Sequence, residues 1–490
     1  MHPHDPPIDA LIARHEASWR IGYDAFPAVV HAKGLRRGVE VGVAFGGHSG
    51  AILEQGGVDK LFGVDAYRHR DNYDDPMNLD QPVFDRLAER VVDRLAPFGD
   101  RFELVRDDSQ QAGDRFADKS LDFVYLDADH SEQGVWQDLC TWAIKVRPGG
   151  VIAGHDYGHA DFPGVRRAVD RFFARFGWTV HEAGHNVWWV ERERLPITYF
   201  TPAYNCAAWI DDAAASILEH NLAPGDEYLI VNDGSTDETA DKLSAIAANF
   251  AAVRIVTHAA NRGGSAARNT AVAEASNPLC FCLDADNLVP PDSVAPLRDH
   301  LFRTGVDTTG FQTLRYFSDE QGPDHITGEL VYETNLVDFQ RAIATTRVPA
   351  GSGNYLFTKD AWRRAGGYPE GVGALDAWGF GLRKAATGST ANVLPGSHYH
   401  HRRDHASYWT RHEGEGTIDR TALDILRPYL DRLDPRDAAY LETEAGRDRW
   451  FSTLNERPLR LRNAASPTIR RSAVQAGLSG LIRRLLQRAA

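Results

Sequence analysis

Apolar and polar positions along the chain fall into two alternating series. Over residues 34–195, the short apolar runs GVEVGVA, KLFGVDA, RFELVRDD, LDFVYLDAD and GGVIAGHD read as buried strands. Between them, QPVFDRLAERVVDRLAPF and GVRRAVDRFFARFG repeat apolar residues every three to four positions, the period of a helix with one buried face. Strand–helix alternation predicts a mostly parallel sheet. WTVHEAGHNVWWVERE, two strand-like runs about a glycine, predicts a terminal hairpin, and RERLP predicts a linker. A second series begins at once. ITYFTPAYN, EYLIVNDGS, VRIVTHA and LCFCLDAD read as strands, WIDDAAASILEHN and DETADKLSAIAANF as helices. The pattern becomes irregular toward residue 410 and is helical and arginine-rich beyond it. It predicts an α/β chain of two doubly wound domains, 1–195 and 196–410, followed by a helical C-terminal extension over 411–490.

Composition narrows the partners. A chain of 490 residues is too long for one ordinary domain, and 43% hydrophobic with 25% charged residues is ordinary for a globular protein. A net charge of -14 argues against nucleic acid as the main partner and leans toward bound cations. Cys140, Cys206, Cys280 and Cys282 form no CxxC, so reduced, buried thiols are expected. No signal-peptide core and no membrane-length apolar run are present, which gives a cytoplasmic expectation. In the tail 469–490, Val474, Leu478, Leu481, Ile482 and Leu485 share a helical face amid arginines and no acid. Such a helix suits peripheral contact with an anionic membrane face, and equally docking on its own domain or a second subunit.

The candidate chemistry sits where the strands end. Glu40 to Ser49 is a glycine-rich turn after the first strand, and Asp65 ends the next strand. Glycines there let the backbone turn tightly beside a ligand, and the acid suits a ribose diol. A dinucleotide and S-adenosylmethionine both fit, and Gly42-x-Ala44-x-x-Gly47 can pass for a nicotinamide fingerprint. Asp127 and Asp156 end the fourth and fifth strands. In a parallel sheet those ends are neighbours on the ligand edge, where two carboxylates can hold a divalent ion and acidify an acceptor hydroxyl.

With RDDSQ, YLDADH and GGVIAGHDY, the stretch 35–195 resembles class I methyltransferases that use S-adenosylmethionine, in the subgroup with D-x-D-H and GG…HDY segments. The resemblance implies a Rossmann-like fold. It implies a methionine pocket shaped by Glu40, Gly42, Gly46 and Ser49, ribose on Asp65, and adenine by Asp108 and Ser109. It further implies His130, three past Asp127, as the base, with His155 as an extra metal ligand. Methyl transfer to a hydroxyl is the expected chemistry.

In the second half, TPAYN, VNDGSTDET, NRGGSAARN and CLDADN follow in order. This series over 196–410 resembles family 2 glycosyltransferases of the GT-A fold. The resemblance implies a nucleotide-sugar donor, with Pro202, Ala203 and Tyr204 lining the base pocket and Asp233 reading the nucleobase edge. Arg268 would reach the base or diphosphate, and Asp284 and Asp286 would hold Mn2+ or Mg2+ against the diphosphate. Inverting transfer needs a carboxylate base. A strict register puts Ala377 at that position, and Asp376 is the one carboxylate between Glu370 and Asp404, so Asp376 is the candidate. His405 fits the late metal-side histidine, with His400 and His401 as alternatives.

The two Leu-Asp-Ala-Asp strings, 126–129 and 283–286, thus mark one physical solution used at two sites. The expected protein is a two-headed enzyme of surface glycan synthesis, with a glycan or glycolipid acceptor. The alternatives are a non-catalytic first half, a first half that binds a nicotinamide cofactor and modifies a sugar, and two halves that are both non-catalytic binding modules.

Overall fold

The computed structural model describes residues 8–18, 23–71, 77–346, 353–403 and 417–462. His405 and the tail 469–490 lie outside these residues. Among the described residues, no helix is long and apolar enough to cross a membrane.

The first sheet contains β1 (Arg37–Val41), β2 (Lys60–Val64), β3 (Phe102–Val105), β4 (Leu121–Leu126), β5 (Val146–Gly154), β6 (His181–Glu182) and β7 (Trp188–Glu191). Their order is β3-β2-β1-β4-β5-β7-β6. The first five are parallel, and their near-continuous apolar runs follow from helices covering both faces. β7 runs antiparallel to β5 and pairs with β6, which is the hairpin that the pattern predicts. This reversed strand departs from the 3-2-1-4-5-6 order of dinucleotide-binding sheets. Helix Gln81–Leu95 buries Val83, Leu87, Val91 and Leu95 along one stripe. Two helices before β1, Ile8–Ser18 and Ala25–Ala32, were not legible in the pattern. The first is tied to helix Gln81–Leu95 by Arg86–Asp9 and Arg94–Glu16 ion pairs, and the second inserts Phe26 and Val30 into the core.

The second sheet holds β8 (Ile197–Ala203), β9 (Glu227–Asn232), β10 (Val253–Thr257), β11 (Leu279–Cys282), β12 (Thr308–Phe317), β13 (Gly328–Val331), β14 (Tyr355–Thr358) and β15 (Ala391–Arg402). The order is β10-β9-β8-β11-β14-β12-β13, with β15 beside β12. β9 and β10 lie on one side of β8 and β11 on the other, so the strand order reverses at β8. Ligands enter such sheets at the carboxyl ends of the strands flanking the reversal.

The two halves share one apolar core. Helix Val294–Thr304 of the second half sets Phe302 against Phe172, Phe176 and Trp178 of the first, with ring centroids 5.8, 5.2 and 5.8 Å apart. Arg175 Nη1 donates to the Val306 carbonyl at 3.2 Å, and Arg303 pairs with Asp118 at 2.6 Å. The RERLP segment is therefore no free linker. Arg192 is 4% exposed with its guanidinium over the Phe302 ring, and Leu195 belongs to the shared core.

Past β15, helices Ile418–Leu426 and Pro435–Leu441, with Trp450, Phe451 and Leu454 beyond them, build a common core with helix Asp376–Ala386. The Trp378 ring lies 6.2 Å from Trp450 and 4.8 Å from Phe451. Residues 417–462 thus brace the helix that carries Asp376.

Candidate functional site

Each sheet presents its charged residues at the ligand edge. In the first, Gly42 has φ +90°, and a Cβ there would stand 1.9 Å from the Asp127 carbonyl oxygen. Only glycine lets the turn after β1 pass so close to the end of β4. Gly46, at φ +73°, opens helix Gly47–Gln55. Asp65 fastens this loop. Its Oδ2 accepts the Val43 and Ala44 amides at 3.0 and 3.1 Å, and its Oδ1 accepts the Tyr67 amide at 2.9 Å. Burial pushes its carboxyl above the usual range, and those three amides oppose the shift. Glu40 is buried and accepts from Ser49 Oγ and pairs with His48 Nδ1 at 2.7 Å. Asp108 pairs with Arg68. Ser109 Oγ donates to Asp138 Oδ1 at 2.5 Å and accepts Trp142 Nε1 at 2.8 Å.

At the ends of β4 and β5 the expected carboxylates do meet. Asp127, His130 and Asp156 bring one ligand atom each within 4.8 Å of the others. His130 Nε2 lies 3.4 Å from Asp127 Oδ1 and 3.0 Å from Asp156 Oδ2. The His130 ring stacks on Phe162 at 4.3 Å, and His159 stacks on that ring at 5.0 Å. His155 Nδ1 stands 3.1 Å from Asp156 Oδ1. Burial opposes ionisation of Asp156, but hydrogen bonds from the two imidazoles hold its carboxyl well below the usual range. A partly open space of about 10 Å3, room for about one water, is lined in part by Asp127, His130 and His155. The geometry differs from the expectation of a base at His130 facing an acceptor, because its Nε2 is turned into the carboxylate pair.

The second edge centres on Arg268, a largely buried guanidinium from helix Gly264–Glu274. Its Nη2 donates to Asp284 Oδ1 at 2.7 Å and its Nη1 to Asp376 Oδ2. Two candidate carboxylates, 16 and 108 residues from Arg268, thus converge on one guanidinium. Asp376 Oδ1 accepts the Ala377 amide at 2.6 Å; burial raises its carboxyl above the usual range, and Arg268 opposes this. Asn354 Oδ1 accepts the Asp284 amide at 2.8 Å, and a Cβ on Gly353 would stand 2.3 Å from Asp284 Oδ2. Asp286 is half-buried beside it, its carbonyl accepting Arg402 Nε at 3.0 Å.

Asp233 departs from expectation. It is 2% exposed and holds the loop that precedes helix Gly264–Glu274. Its Oδ1 takes His258 Nδ1 at 2.6 Å and the Arg262 amide at 3.0 Å, and its Oδ2 takes the Gly263 amide at 2.8 Å. Both of its oxygens are thus engaged in fastening that loop. Pro202 and Ala203 end β8, and Tyr204 beyond them is 47% exposed, a ring face open for stacking. His400 exchanges backbone hydrogen bonds with Leu288, which sets β15 beside the Asp-Ala-Asp turn, and the His401 ring meets Tyr316 edge-on. Sequence reasoning missed Asp138, His258, Asn354 and Arg402. Asp138 and His258 left a trace, as polar residues inside or ending apolar runs; Asn354 and Arg402 left none.

The comparisons with known proteins follow the same division. The model of a methyltransferase domain family matches residues 39–157, and that of glycosyl transferase family 2 matches residues 198–354. Chondroitin synthase of Pasteurella multocida (strain Pm70) is 29% identical over 234 residues, 45% of this chain and 23% of its own length. Hyaluronan synthase of Pasteurella multocida is 28% identical over 235 residues, 44% of this chain and 22% of its own. The chain thus spans less than a quarter of these relatives. Among solved structures, residues 1-349 of S. aureus TarS in complex with UDP-GlcNAc align with 16% identity and a TM-score of 0.40, over 52% of this chain and 73% of that one. The chain carries a methyltransferase domain followed by a family 2 glycosyltransferase domain.

Proposed function

We propose that the protein is a two-headed enzyme of glycan synthesis. Its second half transfers a sugar, with inversion, from a nucleotide-sugar donor to a glycan or glycolipid hydroxyl. Its first half transfers a methyl group from S-adenosylmethionine to a hydroxyl, most simply one on a sugar. The observation that carries this reading is that both ligand edges keep assembled sets of carboxylates paired with cationic groups, at the strand ends where such sheets bind ligands. The relatives named as polysaccharide synthases support a glycan acceptor.

In the second half, Tyr204 stacks on the base and Asp284 with Asp286 faces the diphosphate. A Mn2+ or Mg2+ ion held there would neutralise the leaving group. Arg268 joins Asp284 to Asp376. A diphosphate competing for that guanidinium would release Asp376 to take the proton of the acceptor hydroxyl. The acceptor oxygen then bonds to the anomeric carbon as the bond to the diphosphate breaks.

In the first half, the Glu40–Ser49 loop holds the methionine portion, Asp65 the ribose, and Asp108 with Ser109 the adenine. The acceptor oxygen attacks the methyl carbon, the carbon–sulfur bond breaks, and S-adenosylhomocysteine leaves. Asp127 and Asp156 suit a divalent ion, which would acidify the acceptor hydroxyl. A second reading, a non-catalytic first half, draws on Glu40 and Asp65 spending their oxygens within the protein.

Calorimetric titration of S-adenosylhomocysteine into the full chain separates the two. Two-headed function predicts micromolar binding, weakened about tenfold by Asp65→Asn through loss of charge-assisted hydrogen bonding. Donor hydrolysis should survive that variant and be lost in Asp286→Asn. A chain that hydrolyses donor but binds no S-adenosylhomocysteine has a scaffold for its first half.

A further inference from the structure

We infer that His130 is a metal ligand rather than a base, and that the Asp127–His130–Asp156 site takes a transition ion such as Mn2+ or Co2+ in preference to Mg2+. The inference rests on the methyltransferase reading of the first half and deepens it.

The geometry of the ring leads to this assignment. His130 Nε2 stands 3.4 Å from one carboxylate oxygen and 3.0 Å from the other. Ligand atoms about 2.0–2.2 Å from a common ion lie roughly 3 Å from each other, so these separations need little rearrangement. The ring is not free to swing elsewhere. Phe162 lies against its face at 4.3 Å, and His159 backs Phe162 from the next layer. Phe162 directly precedes helix Pro163–Ala174, whose Val165, Ala168, Val169 and Phe172 are buried, so its position is anchored. The adjoining space, about 10 Å3 and lined in part by Asp127, His130 and His155, has room for about one water.

His155 adds a second imidazole. Its Nδ1 faces Asp156 Oδ1 at 3.1 Å, and its buried Nε2 has no hydrogen-bond partner. Imidazoles placed against ligating carboxylates fix their orientation around an ion. A general base needs a lone pair directed at the acceptor proton. His130 Nε2 is turned to the point that both carboxylates share; an ion there would displace its proton and take the lone pair, and one lone pair cannot serve both roles.

A nitrogen donor also alters which ion is held. Mg2+ favours oxygen ligands and water, whereas imidazole suits later transition ions. One imidazole with two carboxylates is a mixed set that suits Mn2+, Co2+ or Zn2+ and leaves positions for an acceptor oxygen.

The test uses the full chain carrying Asp284→Asn and Asp286→Asn, which silences the second-half site. Mn2+ is titrated in and the free ion followed by electron paramagnetic resonance. One bound Mn2+ per chain is expected, retained against an equal concentration of Mg2+. His130→Gln should weaken binding at least tenfold, and Asp127→Asn should do the same. Pulsed resonance should show nitrogen hyperfine coupling in the parent and lose it in His130→Gln. Unchanged affinity and coupling in His130→Gln overturns the ligand role, and displacement by Mg2+ overturns the selectivity. A folded chain that binds no Mn2+ overturns both and leaves an ion-paired trio. S-adenosylhomocysteine titrated into the same sample keeps the underlying reading separate. Its binding without Mn2+ sinks only the metal site, and Mn2+ binding without it sinks only methyl transfer.

Discussion

Asp138 lies in helix Glu132–Trp142 with 3% exposure, and its Oδ1 collects Ser109 Oγ and Gln110 Nε2 at 2.5 and 3.1 Å. Burial pushes its carboxyl up to about 7, and the Ser109 bond pulls against that rise. The unfolded chain would ionise it near pH 4, about 3.9 for a free aspartate. Between those values the folded chain binds more protons than the unfolded one. Stability from this group therefore falls as pH rises from about 4 to about 7, the reverse of a salt-bridged aspartate. Asp138→Asn keeps an acceptor for Ser109 and removes the ionisation. Its melting temperature should gain on the parent from about pH 4 to about pH 7 and hold that gain above, and a difference that ignores pH would reject this account. Chemistry of this kind is only half legible along a chain. Asp127, Asp156, Asp284 and Asp286 could be picked out because each ends an apolar run. That Arg268 would gather Asp284 and Asp376, or that Asp233 would turn into its own loop, depends on contacts across the fold that no local pattern encodes.

Helix Asp376–Ala386 shows what one element owes to distant ones. Its outward face, Trp378 and Leu382, is buried by helices that begin at Ile418, so the base candidate in its first turn is held by the C-terminal residues. Trp450 is 2% exposed, lies tilted against Trp378 and donates its Nε1–H to the Asp419 carbonyl at 3.1 Å. Trp450→Ala should cost about 3–5 kcal/mol of stability. It should also slow sugar transfer while leaving S-adenosylhomocysteine affinity unchanged, as denaturant unfolding, kinetics and calorimetry can check. Equal loss at both heads would mean that the damage is not local to this helix. Periodicity predicted the central strands, the helices between them and the β6–β7 hairpin, because burial of one face or both imposes a period on those segments. It did not reveal helix Ile8–Ser18, whose place depends on ion pairs to helix Gln81–Leu95. It also misjudged Arg192–Pro196, where Arg192 and Leu195 are buried against the other domain while Glu193 and Arg194 stay exposed.

Across the whole molecule, the junction between the halves is built like an interior. Phe302 is 1% exposed, and aromatic rings of the first half surround it. Gly305, at φ +70°, has no room for a side chain, since a Cβ would stand 2.7 Å from Cys140 Sγ and from Trp136 Nε1. Domains joined by a large apolar contact do not move freely against one another. The halves should therefore unfold as one cooperative unit, and a ligand of one should stabilise both. At a hundred times its dissociation constant, S-adenosylhomocysteine would contribute about 2.7 kcal/mol to everything that unfolds together. Hydrogen exchange in β8, β9 and β11 should then slow when S-adenosylhomocysteine is added, although it binds in the other sheet. Phe302→Ala, costing about 3–5 kcal/mol at the junction, should split the melting curve and confine that protection to the first half. Protection confined to the first half in the parent would show two independent bodies. Coupled protection implies heads fixed in mutual orientation, so that a glycan worked on by both must itself be released and re-presented, since no domain swing is available to carry it.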